Sequence, residues 1–241
     1  LGIRENLGKV AGALKKLGNL RPKVSHSTLM TAMLVSLILL IAFIVRILPI
    51  RWGMYLSEFD PYFQYRFTEK LTNTGIATWF DSSNPSSWLN WVDYQRWHPL
   101  GANIPQLAYP GLPMTASFLY QIVALLGIGI SLKNFCILLP VFFGTLSVLI
   151  VFFLGKDIGG KGVGILSALF LALNPSYISR VSLGFFDDEG NGILAILLLA
   201  VFFLRSLDNE RSTKDAVLYM MASGLTLGYI TAGWGASLYP I

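Results

Sequence analysis

The chain has 241 residues, 54% of them hydrophobic and only 13% charged, with a formal net charge of +5. That balance excludes an ordinary soluble domain and points to an all-α polytopic membrane protein. One cysteine excludes an internal disulfide and a thiolate metal site, two histidines are too few for a histidine-rich zinc site, and the basic residues gather near membrane-helix ends rather than in a nucleic-acid-binding patch.

Residues 1–27 form a basic segment carrying Arg4, Lys9, Lys15, Lys16, Arg21 and Lys23. The apolar run after it has no cleavage pattern and is long enough to span, so the basic segment places the N-terminus in the cytoplasm. Leu7, Val10, Leu14 and Leu17 recur at helical spacing, which suits an anionic membrane surface; a disordered tail accounts for them equally well. Residues 28–241 read as an incomplete transmembrane domain. Its first helix runs from Thr28 to Pro49 with no charge before Arg46. Arg46 and Arg51 are expected to snorkel to the headgroups, although Arg51 can also face a polar cavity.

An external loop over residues 51–133 follows. Its stretch 51–112, rich in aromatics, Pro, Gly and Asn, reads as structured and interfacial, with the aromatics at headgroup depth. Asp60 precedes Pro61 and can cap a short helix. Glu58 and Asp60 also repeat the spacing of Asp187 and Glu189 farther on. The segment Met114–Ile130, interrupted by Gln121, Gly127 and Gly129, is expected to lie in the interface or re-enter rather than cross.

Asn134–Leu154 is expected to run inward, with Pro140 bending it or leaving a carbonyl for a neighbour. Lys156 and Lys161 mark a cytoplasmic turn, and Gly162–Asn174 runs outward to the stop at Asn174-Pro175. The loop 177–189 then carries three consecutive carboxylates, Asp187, Asp188 and Glu189. In an extended loop, Asp187 and Glu189 point one way and Asp188 the other, so the outer two suit one hard cation, Mg²⁺ or Mn²⁺. A helix N-terminus accounts for the same residues, alone or together with the ion. Helices at 190–204 and 216–232 complete about five spans, with Arg205, Arg211 and Lys214 on the inner side. Residues 233–241 read as a boundary or the start of another span, and nothing there closes a fold, as expected of a fragment.

This topology puts both acidic segments on the external face. The physical expectation is a divalent-metal site with Asp60, Asp187 and Glu189 as ligands and Arg180 placed to meet an anion, as a phosphate or pyrophosphate group would require; a snorkelling interface residue or a partner for Asp188 accounts for Arg180 equally well. Glu58-Phe59-Asp60-Pro61-Tyr62-Phe63-Gln64-Tyr65-Arg66, Trp97-His98-Pro99-Leu100-Gly101, Tyr109-Pro110-Gly111 and Tyr177-Ile178-Ser179-Arg180 leading to Gly184-Phe185-Phe186-Asp187-Asp188-Glu189-Gly190 together resemble the catalytic subunit of oligosaccharyltransferase, closest to its archaeal single-subunit branch.

The resemblance implies a multi-spanning fold that transfers a glycan from a polyprenyl-phosphate or pyrophosphate carrier, a lipid-linked oligosaccharide, to the asparagine of Asn-X-Ser/Thr in an acceptor polypeptide. It implies that Asp60 binds the metal and faces the acceptor amide, that Asp187 and Glu189 form the second acidic pair around a variable Asp188, and that Arg180 lies near the donor's pyrophosphate. Glu58 belongs to the first motif. The family also uses a glutamate from a later external loop and a Trp-Trp-Asp sequence in a soluble domain. Neither is in these residues, and Trp88, Trp91 and Asp93 do not substitute, so this piece alone is expected to be inactive without the remainder of the parent chain. Another lipid-linked-sugar transferase or a membrane transporter are the alternatives.

Overall fold

The long apolar runs become long helices because a helix satisfies its own backbone polar groups, the one requirement that hydrocarbon imposes on an open chain. In the computed structural model, which describes residues 25–238, α1 is His26–Ile47, continued by a tight 3₁₀ turn over Leu48–Trp52. Next come α2 (Phe59–Thr74), a two-stranded antiparallel ladder of β1 (Val92–Asp93) and β2 (Ala102–Asn103), α3 (Ile104–Leu107) and α4 (Gly111–Leu125). The remaining helices are α5 (Leu132–Leu173), α6 (Pro175–Arg180), α7 (Asp188–Ser206) and α8 (Thr213–Gly233). The basic N-terminal segment lies outside the described residues except for Ser25, His26 and Ser27.

Four of these helices, α1 with its 3₁₀ turn, α5, α7 and α8, are long and apolar enough to cross a membrane. The longest, α5, loses helical geometry at Gly159 and Gly160, the latter at φ +81. Its two arms fold back so closely that a side chain on Gly164 would press on the Phe152 carbonyl and one on Gly155 would meet Ser167. Five apolar arms therefore stand where about five spans were expected. The turn falls between Lys156 and Lys161 as the charges suggested, and Arg205 at the end of α7 reaches back to Asp157 at 2.6 Å. By contrast α4, with 15 residues, is shorter than a span, consistent with an interfacial segment.

The described residues fall into two units, divided between Leu34 and Val35. The described part of the first is the opening of α1, where the Ser25 hydroxyl accepts from the Thr28 amide and the Thr31 hydroxyl donates to the Ser27 carbonyl. In the second, Val35, Ile38 and Ala42 of α1 pack on Val148, Phe152, Ala168 and Ala172 of both α5 arms. A separate core joins Leu56, Leu112 and Ala116 to Cys136, Ile137, Val141, Leu183, Phe186 and Leu194.

The segment 51–112 is structured, but its aromatics divide. Phe67, Leu71, Trp79, Trp88, Ala102 and Ile104 close a small core of their own, while Trp52, Phe59, Phe80 and Trp97 remain exposed. Trp79 and Trp88 are thus core residues rather than headgroup anchors. Asp93 is buried and paired with Arg66 of α2 at 2.8 Å, a strut that fixes the ladder against that helix. Arg51 is exposed and stacks on Trp52 at 3.9 Å. Arg46 departs from the snorkelling expectation: it is fully buried.

Candidate functional site

Both acidic segments open helices. Asp187 is the N-cap of α7, with extended backbone at φ −138 and its carboxylate accepting from the Asp188 amide at 2.9 Å. Asp188 and Glu189 form the first turn, where acidic side chains suit the helix dipole. The capping expectation thus holds for Asp187. Starting α7 inside the acidic motif also gives it 19 residues, long enough to span. Asp60 lies in the first turn of α2, and the cap position belongs to Glu58, whose side chain caps nothing. Glu58 takes φ 61 and ψ 178, a region that costs a non-glycine residue about 1–3 kcal/mol.

The two segments are stitched together through the backbone. The Ser57 amide donates to the Gly184 carbonyl at 3.0 Å, the Gly184 amide donates to the Ile137 carbonyl at 3.0 Å, and the Leu183 amide donates to the Arg46 carbonyl at 2.9 Å. Ile137 lies in the turn of α5 before Pro140, so the acidic loop is bonded to the α5 backbone next to that proline. Gly184 sits at φ +87, and a Cβ there would overlap the Tyr55 carbonyl oxygen.

The result is a cavity of about 260 Å³ lined by Asp60, Phe63, Gln64, Arg96, Leu107, Ala108, Tyr109, Asp187, Asp188, Glu189 and Trp234. Asp60 and the second acidic segment, over a hundred positions apart, therefore face one space. Burial first, then the charges of Glu189 and Asp60, push the Asp187 carboxyl up to about 6, against the hydrogen bonds from the Asp188 amide and Gln64. Arg180, at the end of α6, pairs with Glu189 at 3.3 Å and stands over the Phe185 ring at 5.2 Å. It remains half exposed and so retains free donors. Glu58 does not line the cavity.

Asp188 differs from the alternation expectation. Helical turns rotate successive side chains by about 100° rather than 180°, and Asp188 faces the same cavity as its neighbours. Its carboxylate accepts from Gln64 Nε2 at 3.0 Å, with Asp187 at 3.4 Å from the same nitrogen. Gln64 went unnoticed in the sequence, although its position four residues after Asp60 on α2 places it on the same helix face. Arg96 went unnoticed too: it lies over Phe63 at 4.5 Å and is the basic residue lining the cavity. So did Trp234, whose ring lies where a Gly192 side chain would stand.

The donor set suits a hard divalent cation, since carboxylates share one cavity and Glu189 Oε2 is buried without a partner. Among the described residues no three acidic, histidine or cysteine side chains converge closely enough to hold an ion as placed. Asp60 is exposed at the rim, and Arg180 engages Glu189 Oε1.

A family model described as the N-terminal part of oligosaccharyl transferase STT3 matches residues 29–241. The chain is 31% identical over 227 residues to the dolichyl-diphosphooligosaccharide–protein glycosyltransferase subunit STT3B of Oryza sativa subsp. japonica, covering 93% of this chain and 30% of that protein. It is 31% identical over 209 residues to the Arabidopsis thaliana subunit STT3B, covering 86% of this chain and 26% of that protein. Among solved structures it resembles the archaeal oligosaccharyltransferase AglB of Archaeoglobus fulgidus in complex with an inhibitory peptide and a dolichol-phosphate. There the TM-score is 0.65 at 20% identity, over 86% of this chain and 24% of that one. The A. fulgidus enzyme in complex with Zn and sulfate gives a TM-score of 0.65 at 20% identity, over 85% and 25% of the two chains. The chain thus spans less than a third of the relatives it matches.

Proposed function

Because the chain belongs to the oligosaccharyl transferase STT3 family, we propose that the full-length protein transfers an oligosaccharide from a polyprenyl-linked phosphate or pyrophosphate to the asparagine of Asn-X-Ser/Thr sequons. The observation that carries this reading is the shared cavity, in which Asp60 meets Asp187 and Glu189 across a backbone stitch. The protein is a multi-pass membrane protein. The acidic cavity faces outside, with the N-terminus and the Lys156–Lys161 turn in the cytoplasm; the lysines at that turn and the Arg205–Asp157 pair at the same end support this orientation.

Asp60, Asp187 and Glu189 are the residues that would hold a divalent cation, Mn²⁺ or Mg²⁺. A cation there supplies Lewis-acid stabilisation of the charge that gathers on the departing phosphate oxygen. The side chains do the rest. An amide nitrogen is a poor nucleophile because its lone pair is delocalised into the carbonyl. Carboxylates accepting hydrogen bonds from both N–H groups would weaken that delocalisation and receive the proton released as nitrogen bonds the sugar carbon and the carbon–oxygen bond to phosphate breaks. Arg180, with its free donors, would bind the phosphate oxygens. Gln64 keeps Asp187 and Asp188 oriented.

Purified full-length protein, given lipid-linked oligosaccharide, a sequon peptide and Mn²⁺, is expected to yield glycopeptide, and a peptide with Gln in place of Asn is expected to yield none. Folded protein that forms no glycopeptide contradicts the reading. A pH effect accompanies it. A cation needs Asp187 ionised, and the carboxyl pushed up to about 6 holds its proton above the ordinary Asp range. Apparent Mn²⁺ affinity should therefore fall as pH drops from 7 to 5, approaching about tenfold per unit where one proton is displaced. Calorimetric titration at several pH values checks this, and an affinity flat across that window removes Asp187 from the ligand set.

A further inference from the structure

Arg46 is a cation in a membrane-crossing helix, fully buried, and its partners are neutral. Nη1 donates to the carbonyls of Ala42 at 3.0 Å and Ala172 at 3.1 Å, and Nη2 donates to Leu171 at 3.3 Å. The ring of Tyr177 lies 5.3 Å from the guanidinium.

Each contact has a reason. Leu171 and Ala172 belong to the last turn of α5, whose carbonyls have no partner within the helix. Leu171 is doubly deprived, because the residue four positions on is Pro175, which has no N–H. The planar fork of an arginine can reach several such carbonyls at once, and its charge suits the negative end of the helix. A side chain on Gly144 would press on Arg46 Nε at 2.7 Å, so α5 makes room for the guanidinium with a glycine.

What lies on this clasp is the acidic site. Tyr177 and Arg180 belong to the same short helix, and Arg180 pairs with Glu189. The Arg46 main-chain carbonyl receives the Leu183 amide, and the next residue, Gly184, receives Ser57. We infer that Arg46 is a positioning residue: from within the membrane it holds the segments that carry Asp60 and those that carry Arg180, Asp187 and Glu189 in one register. The role in transfer rests on the function proposed above; the holding itself does not.

The test uses full-length protein, with Arg46→Lys keeping the charge without the fork and Arg46→Met removing both. Hydrogen exchange is followed in segments 55–60 and 181–187, with α8 as internal reference. Folded variants should exchange at least about tenfold faster in those two segments than wild type, a factor equivalent to 1.4 kcal/mol of local opening, with α8 unchanged. They should also lose kcat and raise KM for the donor, because Arg180, which would meet the donor phosphate, is carried by the same short helix as Tyr177. Wild-type exchange in both segments of a folded variant overturns the inference. A wild-type protein that exchanges as expected but transfers nothing instead defeats the proposed function. If neither variant accumulates folded, wild type decides: segments 181–187 and 42–48 must open together, and rapid opening of 181–187 while 42–48 stays protected overturns the inference.

Discussion

Asp187→Asn and Glu189→Gln in the full-length protein are each expected to lower glycan transfer by about a hundredfold or more, partly restored at high Mn²⁺. The capping role of Asp187 makes Asn the informative replacement, because Asn caps nearly as well as Asp, so the helix survives while the charge is lost. Stability should accordingly change by under about 1 kcal/mol. Glu189→Gln removes the buried oxygen that has no partner and the charge that holds Arg180. Asp188→Asn should be milder. Its amide oxygen can still accept the Gln64 hydrogen bond, which, rather than an outward orientation, is what the structure assigns to that side chain.

Gly184→Ala is expected to be the most damaging glycine-to-alanine substitution among the described residues for stability. It places a side chain at φ +87 and drives its Cβ into the Tyr55 carbonyl, at the crossing where the two acidic segments are bonded. The positive φ and the backbone overlap together should cost on the order of 3 kcal/mol or more, since the neighbour is main chain and cannot swing away. Gly190→Ala is the control, because a side chain there meets only Val181 and Phe143 at ordinary contact distances of 3.6 Å and beyond. Thermal unfolding of the two full-length variants should separate them clearly; equal melting temperatures would show that the crossing is not tight.

These effects bear on what could be read from sequence. The spans were legible because hydrocarbon demands long uncharged runs, and Lys156 and Lys161 located the turn that the structure places at Gly159 and Gly160. The pairing of Asp60 with Asp187 and Glu189 was legible only as shared sidedness. Their common cavity depends on the Ser57–Gly184 bond, which involves backbone atoms that leave no compositional trace. Arg46 was misread because an arginine near a helix end normally reaches water. Here Pro175 leaves the Leu171 carbonyl without a helical donor for it instead, a match between residues distant in sequence. Alternation failed at Asp188 because the motif opens a helix rather than lying extended.

If Asp60, Asp187 and Glu189 together bind a divalent cation required for transfer, the rate must depend on Mn²⁺ through them. Mn²⁺ titration of the transfer rate in full-length wild type, Asp187→Asn, Glu189→Gln and Asp188→Asn, with folding of each verified separately, measures that dependence. The half-saturating Mn²⁺ concentration should rise at least about tenfold for the first two variants and little for the third. Curves for Asp187→Asn and Glu189→Gln that overlie wild type would rule out the metal role, leaving Asp187 as the N-cap of α7 and Glu189 as a first-turn partner of Arg180.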